Sequence, residues 1–171
     1  RDRLPENYIV IGNFELDLQQ RRNTLEFDVV VIGDWGVYAV EIKGWSGKIR
    51  GDTRRWTLQW GKVENPFIRA ETKAKALRDI LARNTQGWPD QLYVESVVHL
   101  PSKKLRIKLD DPRERRLVLR DGIETFFVED ASRSTEDGPE VVYIDDALKE
   151  RIVEQLVPLA TPSNQLPNVT N

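Results

Sequence analysis

The sequence predicts an α/β protein in which a central, mixed β-sheet is flanked by helices. Three observations predict this fold class: short apolar runs with a period of two, one long segment with apolar residues at helical spacing, and a second helical segment near the end. The long segment is Phe67–Arg83, whose apolar stripe leaves Lys73 outside it. The second is Ala147–Val157, which Asp145 or Asp146 can cap. Strands mixed with helices of these lengths form layered structures.

Nine segments are predicted as strands. In chain order these are Tyr8–Leu16, Phe27–Ile32, Val37–Ile42, Lys48–Arg50, Trp56–Trp60 (at a sheet edge), Leu92–Leu100, Leu105–Leu109, Leu117–Leu119 and Phe126–Val128. The second and third flank Gly33-Asp34-Trp35-Gly36, which predicts a tight hairpin turn. Asn65 followed by Pro66 predicts the start of the long helix, as its N-cap and first helical residue.

The chain is expected to be one domain with a tail. Residues 1–157 are predicted to form the domain, and residues 158–171, rich in Pro, Asn and Thr, a linker or disordered tail. Arg1–Pro5 resembles the end of a helix. Since no signal-peptide pattern is present and the chain begins at Arg1, we expect it to be a piece of a longer protein.

Composition excludes several classes of protein. With 39% hydrophobic and 32% charged residues, the 171-residue chain is typical of a soluble globular protein. It lacks an apolar run of the roughly 20 residues that a membrane span requires, so we expect no membrane contact and a cytoplasmic location. The absence of cysteine excludes disulfides and thiolate chemistry, and a single histidine, His99, argues against a His-rich zinc site.

The net charge of −2 conceals segregated charges. Residues 43–83 carry 11 Lys or Arg against 4 Asp or Glu, and residues 103–120 carry 8 against 3. Residues 121–154 carry only 3 basic residues against 11 acidic ones. A basic face for a polyanion is compatible with this pattern, although charged surfaces are common.

The predicted hairpin contains charged residues that are unusual in a buried strand. Asp28 interrupts the first run, and Glu41 and Lys43 close the second. If the turn is symmetric about Asp34-Trp35, Asp28 lies opposite Glu41, with Cβ atoms roughly 4.5–5.5 Å apart. Two carboxylates this close can share one cation. The register is an assumption at this point, because a slip of one residue would destroy the cluster.

Two carboxylates and an ammonium group on one strand face suit metal-assisted hydrolysis of a phosphodiester. Asp28 and Glu41 would hold Mg²⁺ (or Mn²⁺), which prefers oxygen ligands and retains waters. Lys43 would orient a water molecule or stabilise the transition state. The alternative is a surface ion pair on a half-exposed hairpin, because Glu-x-Lys also arises by chance.

The ordered combination of segments resembles the nuclease-related domain (NERD) family of the PD-(D/E)XK nuclease superfamily. The resemblance covers about residues 4–81 and rests on TLEFDVVVIGDWGVYAVEIKGWSGKIRGD followed by ENPFIRAETKAKALRDIL. It implies a restriction-endonuclease-like α/β/α core, in which Asp28 matches the metal-binding Asp and Glu41 with Lys43 matches the E-x-K motif. It also implies fusion to, or partnership with, kinase or helicase domains in bacterial anti-phage defence.

The chain departs from the family pattern at two points. Members usually carry a Glu on a helix before the first strand, and this chain starts too late to contain one. Many carry a Gln on the helix after Asn-Pro, where this chain offers Arg69 and Glu71. Glu26 could supply a further ligand, but an ion pair with Lys43 is the preferred interpretation.

Nucleic-acid contact is predicted for Lys48, Arg69, Lys73 and Lys75, with a solvated helix face as the alternative for the helical residues. Trp45, Trp56 and Trp60 could stack on bases, but packing in the sheet is favoured.

The predicted function is a Mg²⁺-dependent endonuclease acting on DNA, with Asp28, Glu41 and Lys43 as catalytic residues. A homodimer is compatible with an enzyme that cuts two strands. One rival is a non-cleaving nucleic-acid-binding or sensing module that regulates a fused kinase or helicase. Another is a protein-interaction module that uses the acidic residues 121–154.

Overall fold

The computed structural model of the chain describes residues 4, 7–18, 23–133, 142–161 and 168–170. In these residues it has two mixed β-sheets and three α-helices, which confirms the predicted fold class. The helices are α1 (Pro66–Asn84), α2 (Ile123–Arg133) and α3 (Asp146–Leu159). In chain order the strands are β1 (Ile9–Leu18), β2 (Asn23–Ile32), β3 (Val37–Ile42), β4 (Gly47–Asp52), β5 (Arg55–Leu58), β6 (Gly61–Glu64), β7 (Val94–Leu100), β8 (Leu105–Asp110), β9 (Leu117–Leu119), β10 (Ala160–Thr161) and β11 (Asn168–Thr170).

The first sheet forms the centre of the molecule, with strand order β10-β1-β2-β3-β7-β9 and β11 beside another part of β1. Neighbours among β1, β2 and β3 are antiparallel, whereas β3, β7 and β9 run parallel. The last residues of β3, β7 and β9 therefore lie at the same end of the sheet, here called its carboxyl end. One face packs against α1 and α3 and the other against α2, as in an α/β/α sandwich.

The second sheet has the order β6-β5-β4-β8, with β4 and β8 parallel. The sequence predicts β5 at a sheet edge, but β6, which we did not predict, covers it. Trp56 of β5 is completely buried against Trp45 and Phe67, with ring centroids 6.1 and 6.2 Å apart, so it is a core residue. Trp60, by contrast, exposes 67% of its surface.

The hairpin register is as predicted, because Val29 pairs with Val40 and Ile32 with Val37. The turn closes through Gly33 N–H, which donates to Gly36 O at 2.9 Å. Its Asp34 accepts a hydrogen bond from the buried ammonium group of Lys149 at 2.5 Å, which ties the turn to α3.

Two predictions about segments that form helices need correction. Phe126–Val128 is part of α2 and is not a strand; Phe127 is buried against Tyr8 and Tyr38, while Val128 is 52% exposed. A run of three apolar residues is too short for its period to distinguish helix from strand. Lys73 is buried in α1 instead of lying outside the apolar stripe.

The ends of the chain are described only in part. Apart from Leu4, the predicted helix end at Arg1–Pro5 lies outside the described residues. Helix α3 continues to Leu159, and β10 and β11 pair with β1, so parts of the segment expected to be a linker lie beside the sheet. The domain boundary at residue 157 stays a prediction. Within the described part, no helix is both long enough and apolar enough to cross a bilayer.

Asn65 begins α1 as predicted and also joins the helix to the loop before β9. Its Oδ1 accepts a hydrogen bond from Phe67 N–H at 2.9 Å, and its Nδ2 donates to Asp111 Oδ2 at 2.6 Å. Arg113 also donates to both oxygens of Asp111. Burial alone raises the pKa of the Asp111 carboxyl, but the hydrogen bonds from Arg113 and Asn65 outweigh it, so the pKa lies below its ordinary value of 3.8.

The Asp111 carboxylate should therefore stabilise the fold in a pH-dependent way. Folding lowers the pKa of the Asp111 carboxyl, so the ionised group adds to the free energy of unfolding above pH 3.8. This stabilisation is lost as the pH falls through the pKa of the folded state. We expect Asp111→Asn to lower the free energy of unfolding by about 1.5–3 kcal/mol at neutral pH. In urea titrations the difference from the wild type should shrink below pH 3.8. A difference independent of pH would show that the carboxylate charge is not involved.

Candidate active site

Asp28 lies where the regular pairing of β2 is interrupted. On the β1 side the register passes from Gly12↔Val29 to Phe14↔Phe27, so Asp28 and Asn13 do not join the ladder. Asn13 has a positive φ of 50°, which is unusual for a residue other than glycine. On the β3 side, Asp28 Oδ2 accepts a hydrogen bond from the Ile42 backbone N–H at 2.7 Å. The Asp28 carboxylate thus accepts, from the last residue of β3, the hydrogen bond that a backbone carbonyl accepts in a regular β-ladder.

Glu41 is 3% exposed and forms ion pairs with two lysines. Lys43 Nζ donates to its Oε1 at 2.6 Å, and Lys73 Nζ donates to its Oε2. Burial alone raises the pKa of the Glu41 carboxyl, but the hydrogen bonds from Lys43 and Lys73 outweigh it and lower the pKa below 4.5. Glu41 is therefore a buried carboxylate that stays ionised because two ammonium groups compensate its charge.

Helix α1 places Lys73 in this site. The lysine side chain is 5% exposed and also lies 5.9 Å from the centroid of the Phe27 ring. One sequence signal could have identified it, because Lys73 follows Ala70 by three residues and precedes Leu77 by four, the spacing of the buried stripe. A lysine at such spacing needs a buried counter-charge, and Glu41 provides it.

The carboxylates line one closely packed pocket, which leaves no room for a water molecule. Its lining residues are Phe27, Asp28, Ala39, Val40, Glu41, Ala70 and Lys73. Asp28 and Glu41 line the same pocket, as predicted from the register, and Lys43 reaches Glu41 from the strand end with 28% of its side chain exposed. The structure thus brings the three predicted residues together and adds Lys73 to them.

The donor chemistry fits a hard divalent cation bound through few protein ligands. Asp28 and Glu41 supply carboxylate oxygens, and Mg²⁺ is commonly held by one or two carboxylates together with substrate phosphates and waters. Among the described residues, no three Asp, Glu, His or Cys side chains lie close enough to hold a metal ion together. Each oxygen of Glu41 already accepts a hydrogen bond from one lysine ammonium group, so a cation would have to use the remaining lone pairs or displace a lysine.

Other candidate residues lie elsewhere. Glu26 is exposed and faces Glu15 across β1, and the ammonium group of Lys43 contacts Glu41 instead of Glu26. Glu71, one of the residues near the family's usual Gln position, accepts hydrogen bonds from Arg113 and Arg116.

The four residues predicted to contact nucleic acid do not share one environment. Lys48, Arg69 and Lys75 are exposed, so their contact with nucleic acid stays a prediction. Lys73 is buried against Glu41 and does not lie on the outer face of α1.

Two mixed sheets with helices on both faces place the chain among α/β proteins of the restriction-endonuclease-like class. The model of the family described as NERD, nuclease-related domain, matches residues 1–101. The match covers more than half of the 171 residues, and the chain belongs to this family. Comparison with the curated proteins gave no match, and neither did comparison with the solved structures.

Proposed function

We propose that the domain hydrolyses phosphodiester bonds of DNA in a reaction that depends on a divalent cation. The observation that supports this most is the convergence of Asp28 and Glu41 in one pocket, with Lys43 beside them at the carboxyl end of β3. These positions lie within the residues that match the nuclease-related family. Because Lys43 and Lys73 already compensate Glu41, a cation held by both carboxylates would add the positive charge that attracts a phosphate to this pocket.

Each residue has a separate task in this proposal. Asp28 and Glu41 would hold Mg²⁺, which when bound lowers the pKa of a water molecule and offsets charge on the phosphate. Lys43 is partly exposed, so its ammonium group can turn from Glu41 towards a phosphate oxygen and stabilise the negative charge that develops there. Lys73 is buried and keeps Glu41 ionised and oriented before substrate arrives.

A non-cleaving module that binds nucleic acid is the second candidate. One observation favours it: both oxygens of Glu41 already accept hydrogen bonds from lysine ammonium groups. In this alternative the charges of the pocket would compensate each other and have only a structural task. The kinase or helicase partner, the role in defence and the homodimer stay predictions.

Calorimetry with Mn²⁺ and a cleavage assay with labelled DNA separate these candidates. We expect saturable Mn²⁺ binding by the wild type, loss of at least about tenfold in affinity in Asp28→Asn, and DNA cleavage that EDTA stops. Glu26→Gln, which removes an exposed carboxylate from the same strand, is the matched control and should behave as the wild type. Cleavage that persists in EDTA would contradict the metal-dependent mechanism, and DNA binding without Mn²⁺ binding or cleavage would favour the second candidate.

A further inference from the structure

A second pocket, of about 590 Å³, lies where the segments that leave β7 and β9 of the first sheet meet the first residues of β4 and β8 of the second sheet, and it is lined by five basic residues. These are Lys48, Lys103, Lys104, Arg106 and Arg120, and we call the site the basic pocket. No acidic side chain is among its described lining residues. Four of the five basic residues follow residue 101, beyond the part of the chain that matches the family.

The topology of the sheet explains why these residues meet. Lys103 and Lys104 follow the end of β7, and Arg120 follows the end of β9. Lys48 and Arg106 are the second residues of β4 and β8, and they are partners in the parallel pairing of these strands. Because β3, β7 and β9 are parallel, the segments that leave them emerge at one end of the sheet. Ligands of open α/β sheets bind in the crevice outside these carboxyl ends. Glu41 and Lys43 lie at the same end.

The five positive charges of the basic pocket are not used to hold the fold together. All five side chains are exposed, and none forms an ion pair or a side-chain hydrogen bond with any described residue. Other cations of the chain differ in this respect, because Arg113, Arg116 and Lys149 are paired with carboxylates. Like charges gathered without counter-charges repel one another, and an anionic ligand would relieve this repulsion.

The backbone of the basic pocket is held in position and has a strained residue. Gly47 N–H donates to Lys104 O at 2.6 Å, and Arg120 N–H donates to Leu100 O at 2.8 Å. Arg120 has a positive φ of 58°, a conformation that costs free energy in a residue with a side chain. Gly47, with φ of 84°, permits the close approach of Gln59, since a Cβ there would lie 2.9 Å from Gln59 Nε2.

The same hydrogen bonds indicate which anion fits. Small phosphates are usually bound by several free backbone N–H groups arranged as a nest. In the basic pocket the backbone N–H groups of Gly47, Lys104 and Arg120 already donate hydrogen bonds to other groups of the protein. Recognition therefore depends on dispersed lysine and arginine side chains, which neutralise a series of phosphates without reading bases. A lipid surface fits less well, since Leu105, an apolar lining residue, is 9% exposed.

We propose that the basic pocket binds the phosphate backbone of a nucleic acid and guides the strand along the carboxyl end of the sheet. The choice of nucleic acid as the ligand rests on the proposed function. The binding itself requires neither the metal nor the carboxylates, so it can be measured separately from cleavage.

The test is fluorescence anisotropy with a labelled DNA oligonucleotide, single-stranded and as a duplex, in EDTA over a series of salt concentrations. The variant Lys103→Gln/Lys104→Gln should bind more weakly by roughly one to two powers of ten. Its slope of log affinity against log salt should be shallower by roughly 1.4 for the single strand or 1.8 for the duplex. Lys62→Gln/Arg83→Gln removes the same charge from exposed positions outside the basic pocket and should leave both quantities unchanged.

The proposal would be overturned by wild-type protein that does not bind DNA, by a basic-pocket variant that binds like the wild type, or by an equal loss in the control variant. Binding to vesicles containing phosphatidylserine without binding to DNA would also overturn it and assign the basic pocket to a lipid surface. A different outcome separates the two proposals. If the basic-pocket variant binds DNA more weakly but no protein cleaves it, the basic pocket is supported and only the proposed nuclease activity is contradicted.

Discussion

Replacing Glu41 with Gln should lower the rate of metal-dependent DNA cleavage by about 1,000-fold. Glu41 supplies one of the two carboxylates of the pocket, and a neutral amide is a much weaker ligand for a hard cation. Loss of about 4 kcal/mol of transition-state stabilisation corresponds to that factor in rate. The measurement is the initial rate with labelled DNA at saturating Mg²⁺, with Glu26→Gln as the control that keeps the wild-type rate.

The same substitution should also destabilise the fold, and the two effects need to be separated. Glu41→Gln leaves the Lys73 ammonium group buried without its counter-charge, which we expect to cost about 3–5 kcal/mol of unfolding free energy. The double variant Glu41→Gln/Lys73→Met removes that charge and should recover most of the stability in urea titrations. The cleavage rate of this stable double variant should stay about 1,000-fold below that of the wild type. If its cleavage rate equalled that of the wild type, Glu41 would not be a catalytic residue.

Trp56→Ala should reduce the free energy of unfolding by about 3–5 kcal/mol, because it empties the centre of the second sheet's core. Trp56 is completely buried, and Gly51 opposite approaches it so closely that a Cβ there would lie 2.4 Å from its ring. Its neighbours are Trp45, in the loop between β3 and β4, and Phe67, in α1, and they cannot easily move into the space. Urea unfolding followed by circular dichroism measures the effect without relying on tryptophan fluorescence.

Trp60 provides the matched control for this experiment. It lies four residues further along and exposes 67% of its surface, so Trp60→Ala should change the unfolding free energy by no more than about 0.5 kcal/mol. Similar losses in both variants would show that Trp56 does not have the special packing that the structure assigns to it. The tryptophans could either stack on bases or pack in the sheet. Trp56 is too deeply buried to stack on a base, whereas Trp60 is exposed.

Local features of the sequence were sufficient to predict much of the candidate site. The register of β2 and β3 follows from a turn of four residues, and this register places Asp28 and Glu41 beside one pocket. Asn65 and Pro66 determine where α1 begins, because capping depends on residues adjacent in the chain. The family, too, was predicted from residues 4–81, and the match to residues 1–101 confirms it.

Contacts between distant segments decided the rest. Lys73 is buried because Glu41, 32 residues earlier, meets it, and a helical pattern alone cannot supply that partner. Phe127 is helical because α2 covers Tyr8 and Tyr38, although its apolar run has no clear period. The edge assignment of β5 was wrong because β6, too short and polar to recognise, pairs with it.

The sequence alone therefore determined the α/β class, the hairpin with its three charged residues, and the start of α1, since turns, caps and periodicity act over a few residues. Only the tertiary structure decided that Glu41 is neutralised by two lysines and that the strands form two sheets. It also decided that basic residues following β7 and β9 converge on one pocket with those that begin β4 and β8. The physical reason is that parallel strands are neighbours in space while their ends are far apart in the chain.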